Sequence, residues 1–331
     1  MRLPDFQYAA PESLEDLVEI LKSPPGEIRM IAGGTDLLPS MKQGLHSPHT
    51  LVLLSRPPPL KRIAFDERSG LSIGPMVTLR ELETAPVIQE RYPVISRAAG
   101  LVGSPQLRHM GTLGGNLNLD TRCFYYNQSP SWRRCRPVCV KAGGDTCNAI
   151  VGGKKCFAAF SGDLAPALIA LGASVKLLTG EGERVVPLEE YYTGNGAKPF
   201  DRKGDELMTS IEVPPPREGT ICLYRKFAIR KAIDFPLAGV AIMVEWGTGG
   251  ICQDAGIVLG GVASSPLKVE AASALLKGER LESDLVERAA EQVFKAAKPV
   301  ANLASTPSYR RLMVRELAKN ALSRIQPQAS A

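Results

Sequence analysis

Five of the seven cysteines lie within 34 residues, and this clustering is the strongest sign of chemistry in the chain. Four of them are separated by 15, 7 and 8 residues, and Cys135 is a fifth; the four are Cys123, Cys139, Cys147 and Cys156. Four thiolates in one segment could hold Zn²⁺ or an iron–sulfur cluster. Structural zinc sites usually use close cysteine pairs, and such a pair exists here only if Cys135 and Cys139 act together. The spacing slightly favours a cluster over zinc, and buried free thiols are the third possibility.

The net charge is concentrated in the same segment. The chain carries 40 Lys and Arg against 34 Asp and Glu, for a formal charge of +6. The stretch from Arg122 to Cys156 holds seven of these cations and only Asp145 as an anion, which is 7 − 1 = +6. The rest of the chain therefore balances at 33 against 33. We interpret this stretch as an insert with its own function.

Two glycine pairs stand in sequence contexts that suit anion binding. Gly33-Gly34 precedes Thr35, and Gly114-Gly115 follows Thr112. Consecutive backbone N–H groups without Cβ atoms, next to a hydroxyl, can form a nest for a pyrophosphate. Neither sequence is a Walker A loop or a G-x-G-x-x-G motif. Ordinary tight turns are the alternative interpretation.

The elements around these motifs predict a two-part α+β protein. Apolar spacing and capping residues predict helices and strands, with a polar, proline-rich stretch at 198–218. We expect helices over 13–23, 164–173, 285–297 and 309–325, a capping box at Thr78–Glu81, a hairpin over 173–188, and strands over 28–31, 50–54, 221–227, 237–244 and 256–260. The predicted domains are 1–218, with lobes of about 1–56 and 57–218 and the insert at 118–160, and a C-terminal α+β domain over 219–331.

The composition of the chain indicates the cellular location of the protein and argues against one class of function. Hydrophobic residues make up 44% of the chain, which is enough for a large core. No apolar run reaches 18 residues and the N-terminus has no apolar signal core, so we expect a cytoplasmic protein without a membrane span. Aromatic residues make up only 6%, which argues against a stacking surface for single-stranded nucleic acid.

An ordered set of motifs resembles the FAD-binding subunit of the xanthine dehydrogenase, or molybdenum hydroxylase, family. The set covers nearly the whole chain and comprises Phe6–Leu14, Ala32–Leu37, Gln106–Arg108, Gly111–Leu117, Ser161–Pro166 and Tyr224–Lys226 with Arg230 and Asp234. The resemblance implies a two-lobed FAD-binding domain followed by a C-terminal domain of the CO dehydrogenase flavoprotein type. It also implies that the catalytic groups are cofactors, with no catalytic side chain in this chain.

The same resemblance assigns residues to FAD. It implies that two turns wrap the pyrophosphate and ribityl of FAD, and these comprise Ile31, Ala32, Gly33, Gly34, Thr35, Asp36, Leu37, Gly111, Thr112, Gly114, Gly115 and Asn116. Val102 and Gly103 would lie beside the adenine. Asp163 would accept a hydrogen bond from the ribityl hydroxyls, and Lys226 would lie near the flavin. Without the resemblance, Asp163 could simply cap the following helix and Lys226 could be a surface lysine.

The insert resembles the 4-hydroxybenzoyl-CoA reductase branch of that family. The matching segments are Cys123–Ser129, Gly144–Cys147 and Ala158–Asp163. That branch carries a [4Fe–4S] cluster in a loop at this place, and its ligands would be Cys123, Cys139, Cys147 and Cys156. Cys135 has no counterpart.

The resemblance implies an (αβγ)2 enzyme with two further subunits, one bearing molybdopterin and one bearing two [2Fe–2S] clusters. Electrons would pass from ferredoxin through [4Fe–4S] and FAD to molybdenum, and the ring hydroxyl of 4-hydroxybenzoyl-CoA would be removed reductively. One alternative is the FAD subunit of an oxidising hydroxylase. Another is a zinc-stabilised nucleic-acid adaptor that uses the basic insert, although it leaves the glycine turns unexplained.

Overall fold

The computed structural model describes residues 2–24 and 26–325. Twelve strands are found there, namely β1 Gln7–Ala9, β2 Ile28–Ile31, β3 Thr50–Leu53, β4 Ile63–Asp66, β5 Gly70–Ile73, β6 Ser174–Thr179, β7 Gly182–Pro187, β8 Leu207–Val213, β9 Thr220–Phe227, β10 Ala238–Trp246, β11 Cys252–Gly260 and β12 Leu267–Lys268. The α-helices of the same residues are α1 Leu14–Leu21, α2 Leu37–Lys42, α3 Leu79–Thr84, α4 Pro86–Arg91, α5 Pro93–Gly100, α6 Pro105–Met110, α7 Leu113–Leu117, α8 Pro130–Arg134, α9 Leu164–Ala170, α10 Glu270–Leu276, α11 Ser283–Ala296 and α12 Pro307–Leu322.

The first lobe is a small parallel sheet with a helix on it. Its strand order is β1-β3-β2, and both pairings are parallel. Ser13 caps α1 by accepting a hydrogen bond from the Asp16 N–H, and the apolar face of α1 places Leu17 and Leu21 in a core with Val52. The predicted helix and strands are therefore confirmed, and β1 is an additional strand that is too short to show a sequence pattern.

The second lobe contains a five-stranded antiparallel sheet in the order β4-β5-β8-β6-β7. The predicted hairpin is confirmed as β6 and β7. The middle strand, β8, lies within the polar, proline-rich stretch at 198–218, which in the sequence is typical of a domain boundary. Its alternating burial, with Leu207, Ile211 and Val213 inside, is a strand pattern. Proline and charged residues on both sides conceal that pattern in the sequence.

The C-terminal domain is a four-stranded antiparallel sheet, ordered β12-β11-β10-β9, with α10 and α12 packed on it and α11 packed against these two helices. Helix α9 is buried along its whole length because it packs against this sheet on one side and against α5 and α7 of the second lobe on the other. The core of the second lobe therefore continues to Tyr224, Ala241 and Val258 of the C-terminal sheet. The residue that precedes α9, Asp163, is thereby fixed between the two domains.

The α+β fold class is confirmed, with strands leading and helices following in the C-terminal domain as expected. The capping box at Thr78 is also present, with the Glu81 side chain accepting from the Thr78 N–H at 2.7 Å. The domain limits at 218 and 219 stay a prediction. No helix among the described residues is long and apolar enough to cross a membrane.

Candidate cofactor sites

The two glycine turns contact each other. The first follows β2, and the second begins between α6 and α7 and continues into α7, which contains Gly114 and Gly115. A Cβ atom on Gly33 would lie 1.7 Å from the carbonyl oxygen of Met110, and one on Gly111 would lie 3.6 Å from Thr35 Oγ1. Only glycine fits at position 33, because backbone from the second turn occupies the place of a side chain. The chain thus brings together the two segments that the sequence analysis assigns to one ligand.

The second turn is fastened to the start of α9. Thr112 caps α7 by accepting from the Gly115 N–H at 3.1 Å, so this hydroxyl and this amide are already paired. The buried Asn116 accepts a hydrogen bond from the Leu164 N–H through Oδ1 at 3.1 Å. Leu164 directly follows Asp163. The second glycine turn therefore lies next to Asp163, the predicted acceptor for the ribityl hydroxyls.

Asp163 is 2% exposed and is held by two side chains of β9. Its Oδ1 accepts from the Tyr224 hydroxyl at 2.8 Å, and its Oδ2 accepts from Lys226 Nζ at 2.9 Å. Burial raises the pKa of Asp163, and the opposing charge of Lys226 and both hydrogen bonds limit the rise. Asp163 makes no side-chain capping bond to α9, and the Lys226 side chain is buried. Asp163 is therefore not a side-chain cap of α9, and Lys226 is not a surface lysine. Both alternative interpretations from the sequence are wrong.

Tyr224 was not among the sequence candidates. It lies two residues before Lys226, and residues two apart on a strand share one face, which is the signal that could have identified it. Lys226 Nζ also donates to the Leu101 carbonyl at 2.9 Å, beside Val102. The Gly103 carbonyl accepts from the Ile233 N–H at 2.8 Å. The predicted segment at Val102 and Gly103 is thus joined to β9 and to the loop that follows it.

Arg122 connects the first glycine turn to the insert. Its guanidinium forms a short hydrogen-bonded ion pair with Asp36 and lies 4.4 Å from the ring centroid of Phe235. Burial raises the pKa of Asp36 while Arg122 opposes that rise. The backbone of Arg122 exchanges two 2.8 Å hydrogen bonds with Ala159, forming a neck where the insert leaves and rejoins the lobe. The next residue is Cys123.

A cavity of about 340 Å³ lies beside this ion pair. Its lining comes from the neck, the start of the insert, the loop after β9 and residues 303–304 of the C-terminal domain. Two lining residues contain buried polar atoms without hydrogen-bond partners in the described structure, Ser161 Oγ and Arg122 Nε. Buried polar groups are normally paired. The cavity therefore offers two unpaired polar atoms to a ligand, although none of the residues assigned to FAD lines it.

The four predicted cysteine ligands line one small cavity, which we call the cysteine cavity. Cys123, Cys139, Cys147 and Cys156 all contribute to it, and its volume is about 20 Å³. Cys135 is exposed and does not line it. Burial raises the pKa of the Cys123 thiol to about 11. Within residues 2–24 and 26–325 no three Cys, His, Asp or Glu side chains are grouped as ligands of a metal ion.

Lys141 is the buried cation of the cysteine cavity. Its Nζ donates to Asp120 Oδ1 at 2.7 Å, to the Thr121 carbonyl at 2.7 Å and to Thr121 Oγ1 at 2.5 Å. Burial opposes ionisation of Asp120, but its hydrogen bond with His46 and the charge of Lys141 lower the pKa of Asp120 to about 2. Lys141 therefore ties the middle of the insert to its first residues. The sequence shows Lys141 only as one of seven cations.

Comparison with known proteins identifies the class of protein to which this arrangement belongs. The family model described as the FAD binding domain in molybdopterin dehydrogenase matches residues 4–216, and the CO dehydrogenase flavoprotein C-terminal domain matches residues 223–325. The chain therefore belongs to the FAD-binding subunits of the molybdenum hydroxylase family.

Individual relatives agree with this family. The chain is 28% identical to the carbon monoxide dehydrogenase medium chain of Hydrogenophaga pseudoflava over 97% of this chain and 96% of that one. It is 32% identical to the FAD-binding subunit of an aldehyde oxidoreductase of Escherichia coli K12, over 82% and 85% of the two chains. A solved structure of carbon monoxide dehydrogenase from Hydrogenophaga pseudoflava superposes with a TM-score of 0.80 and 27% identity, over 98% of each chain.

Proposed function

We propose that one FAD binds noncovalently where the two glycine turns meet Asp163 and Lys226. Four observations support this: the close contact at Gly33, the buried Asp163 carboxylate, the unpaired Ser161 hydroxyl and the family match. The turns contain no cysteine or histidine that could attach a flavin covalently. When bound, FAD supplies one- and two-electron transfer. Asp163 would accept from ribityl hydroxyls with its remaining lone pairs, while Lys226 and Tyr224 hold it in place.

We further propose that Cys123, Cys139, Cys147 and Cys156 hold a [4Fe–4S] cluster. The observation that carries this proposal is that all four line one cavity and Cys135 does not. In a cubane each thiolate binds a different iron, so the sulfurs lie farther apart than around one tetrahedral ion. The absence of a mononuclear ligand group among the described residues is compatible with that geometry. Such a cluster supplies one-electron transfer, and Lys141 would be the nearest buried positive charge.

The function that this pair of sites supports is electron transfer within a molybdenum enzyme. The chain would assemble with a molybdopterin subunit and a subunit bearing two [2Fe–2S] clusters, as an (αβγ)2 complex. The resemblance of the insert favours reductive removal of the hydroxyl from 4-hydroxybenzoyl-CoA, with ferredoxin as electron donor. The insert is the feature that distinguishes this function from that of an ordinary hydroxylase subunit.

The second candidate is the FAD subunit of an oxidising hydroxylase. The named relatives favour it, because they include carbon monoxide dehydrogenase, an aldehyde oxidoreductase and a nicotinate dehydrogenase. Under this function electrons would leave FAD for an acceptor, so the basic insert would not bind an electron-donor protein. The comparisons support this candidate more directly than the reductase, which depends on the resemblance of the insert and on its cysteines.

Assays of the purified holoenzyme separate the two candidates. A reductase should convert 4-hydroxybenzoyl-CoA to benzoyl-CoA with reduced ferredoxin and should show no oxidation of aldehydes, purines or carbon monoxide with NAD⁺. Oxidation of one of these substrates, without consumption of 4-hydroxybenzoyl-CoA, would instead support the oxidising hydroxylase.

The proposed donor site is the outer surface of the insert. Two of its seven cations face inward, because Arg122 pairs with Asp36 and Lys141 pairs with Asp120. Arg133 donates to the Gly44 carbonyl and thus contributes to packing against the first lobe. The exposed cations are Arg134, Arg136, Lys154 and Lys155. Exposed charges of this kind would attract an acidic electron-transfer protein.

The test reverses three of these charges. Replacing Arg134, Lys154 and Lys155 by Glu should lower the rate with ferredoxin at low salt and flatten its salt dependence, because screening acts over about 8 Å at physiological ionic strength. Turnover with a small neutral donor should not change. Reversal of Arg280, Lys295 and Lys298, which are exposed on the C-terminal domain, is the matched control. Equal rates in both triple variants would place docking elsewhere.

A further inference from the structure

Two buried side chains of the C-terminal domain reach the cysteine cavity, Ser264, whose hydroxyl donates to the Cys156 carbonyl at 3.5 Å, and Asn302. Asn302 lies between α11 and α12 and is 1% exposed. Its backbone carbonyl accepts from the Phe124 N–H at 2.8 Å, and its Nδ2 donates to the Phe157 carbonyl at 2.7 Å. Phe124 follows Cys123, and Phe157 follows Cys156. One asparagine therefore holds the residues next to two of the four cavity cysteines.

Tertiary contacts set the relative position of these two cysteines. They are 33 positions apart in the chain, so no local turn relates them. Cys139 and Cys147 differ, because their segments pair directly, with the Val140 N–H donating to the Thr146 carbonyl at 3.0 Å. For Cys123 and Cys156 the hydrogen-bonded connections are the neck, Asn302, and two bonds to the Cys156 carbonyl, from the Gly196 N–H at 3.0 Å and from the Ser264 hydroxyl at 3.5 Å.

The position of Asn302 is itself fixed by hydrogen bonds within the C-terminal domain. Its N–H donates to the Val300 carbonyl at 2.8 Å. The fully buried Arg310 donates to the carbonyls of Val300 at 3.1 Å and Leu237 at 2.9 Å, and also to that of Gly261. The segment after Gly261 contacts the insert as well, since the Ala263 carbonyl accepts from the Phe160 N–H at 3.0 Å. A guanidinium bonded to three backbone carbonyls thus braces both segments that contact the insert.

We propose that Asn302 is a positioning residue for the Cys123 and Cys156 ligands of the iron–sulfur cluster. This inference rests on the proposed function, because it assumes that the cysteine cavity holds a cluster. Outer hydrogen bonds fix the orientation of first-layer ligands, and losing one typically weakens metal binding about 10- to 100-fold. The cluster would consequently be retained through a contact between two domains. Separating the C-terminal domain from the insert would release it.

The experiment measures cluster retention in the holoenzyme. Wild type and Asn302→Ala are incubated with an iron chelator, and loss of iron, acid-labile sulfide and flavin is followed over time. Asn302→Ala should lose iron about 10-fold faster or more, with an altered electron paramagnetic resonance signal of the reduced cluster and unchanged flavin content. Asn302→Ser, whose side chain is too short to reach the Phe157 carbonyl, should show the same result if the alanine variant does not fold.

Ser273→Ala is the matched control. Ser273 is a buried polar residue of the same domain, and its hydroxyl bonds the backbone of Val269 and Ile257 without contacting the insert. It should destabilise the domain and leave cluster loss at the wild-type rate. Equal iron loss from the Asn302 variants and Ser273→Ala would overturn the inference while leaving the proposed function intact. Wild-type holoenzyme without iron in this chain would overturn both.

Discussion

The glycine turns and the cysteine insert meet at Arg122 but are built in different ways. The turns are backbone structures, in which missing side chains allow two segments to touch, as at Gly33 and Met110. The insert is organised by side-chain contacts, chiefly Lys141 with Asp120 inside it and Asn302 of the C-terminal domain with Phe157. FAD binding should therefore be lost when a side chain is added at the glycine turns. Cluster binding should be lost when side-chain contacts to the insert are removed.

The largest expected effect is on the flavin. Gly33→Ala places a Cβ atom where the Met110 carbonyl lies, at 1.7 Å, so the two turns must separate. We expect the variant to contain essentially no FAD, as measured by absorbance of the purified chain. Gly204→Ala is the control, because no atom lies within 4 Å of its added Cβ. A Gly33→Ala protein with a full complement of flavin would show that contact between the turns is unnecessary for binding.

The next largest effect separates the cysteines. Cys147 lines the cysteine cavity and Cys135 is exposed outside it. Cys147→Ala should lose the four irons and the broad visible absorption of the cluster, and Cys135→Ala should keep both. Iron analysis of the two variants shows which of these cysteines the cluster needs. Equal losses would mean that a different set of four cysteines binds.

A smaller effect should follow from removing the Tyr224 hydroxyl. Tyr224→Phe leaves one oxygen of the buried Asp163 without its 2.8 Å partner, which should cost about 1–3 kcal/mol of stability or flavin binding. Tyr309→Phe, at a half-exposed ring in the C-terminal domain, is the control. Flavin titration and thermal unfolding measure the two contributions. Identical behaviour of the two variants would show that Tyr224 does not support Asp163.

The smallest effect concerns the ion pair between Asp120 and Lys141 within the insert. The pKa of Asp120 is lowered from 3.8 to about 2, so its contribution to stability is present above pH 4 and disappears as the pH falls towards 2. After allowance for partial exposure this is about 1–2 kcal/mol. Asp120→Asn should be less stable than wild type at pH 7, and the difference should shrink below pH 4. Asp5→Asn, at a fully exposed carboxylate, should change nothing, and a pH-independent difference for Asp120→Asn would contradict the assignment.

About half of the described helices and strands could be predicted from the sequence, among them α1, α11, α12 and the hairpin. Strand β8 could not, since prolines and charges surround it. The residue types of the candidate sites could also be recognised, including the cysteines and Asp163. Asn302 could not, because it reaches the site through tertiary packing and is 145 positions from Phe157, whereas Tyr224 shares a strand face with Lys226. Patterns in a sequence report local spacing and carry no information about such contacts.

The central claim is that this chain carries both a flavin and a four-iron cluster. The most direct test is to determine FAD, iron, zinc and acid-labile sulfide in the isolated chain, purified without oxygen. We predict four irons and four sulfides for each FAD, and no zinc. One zinc per chain without sulfide, or flavin with no metal at all, would contradict the account.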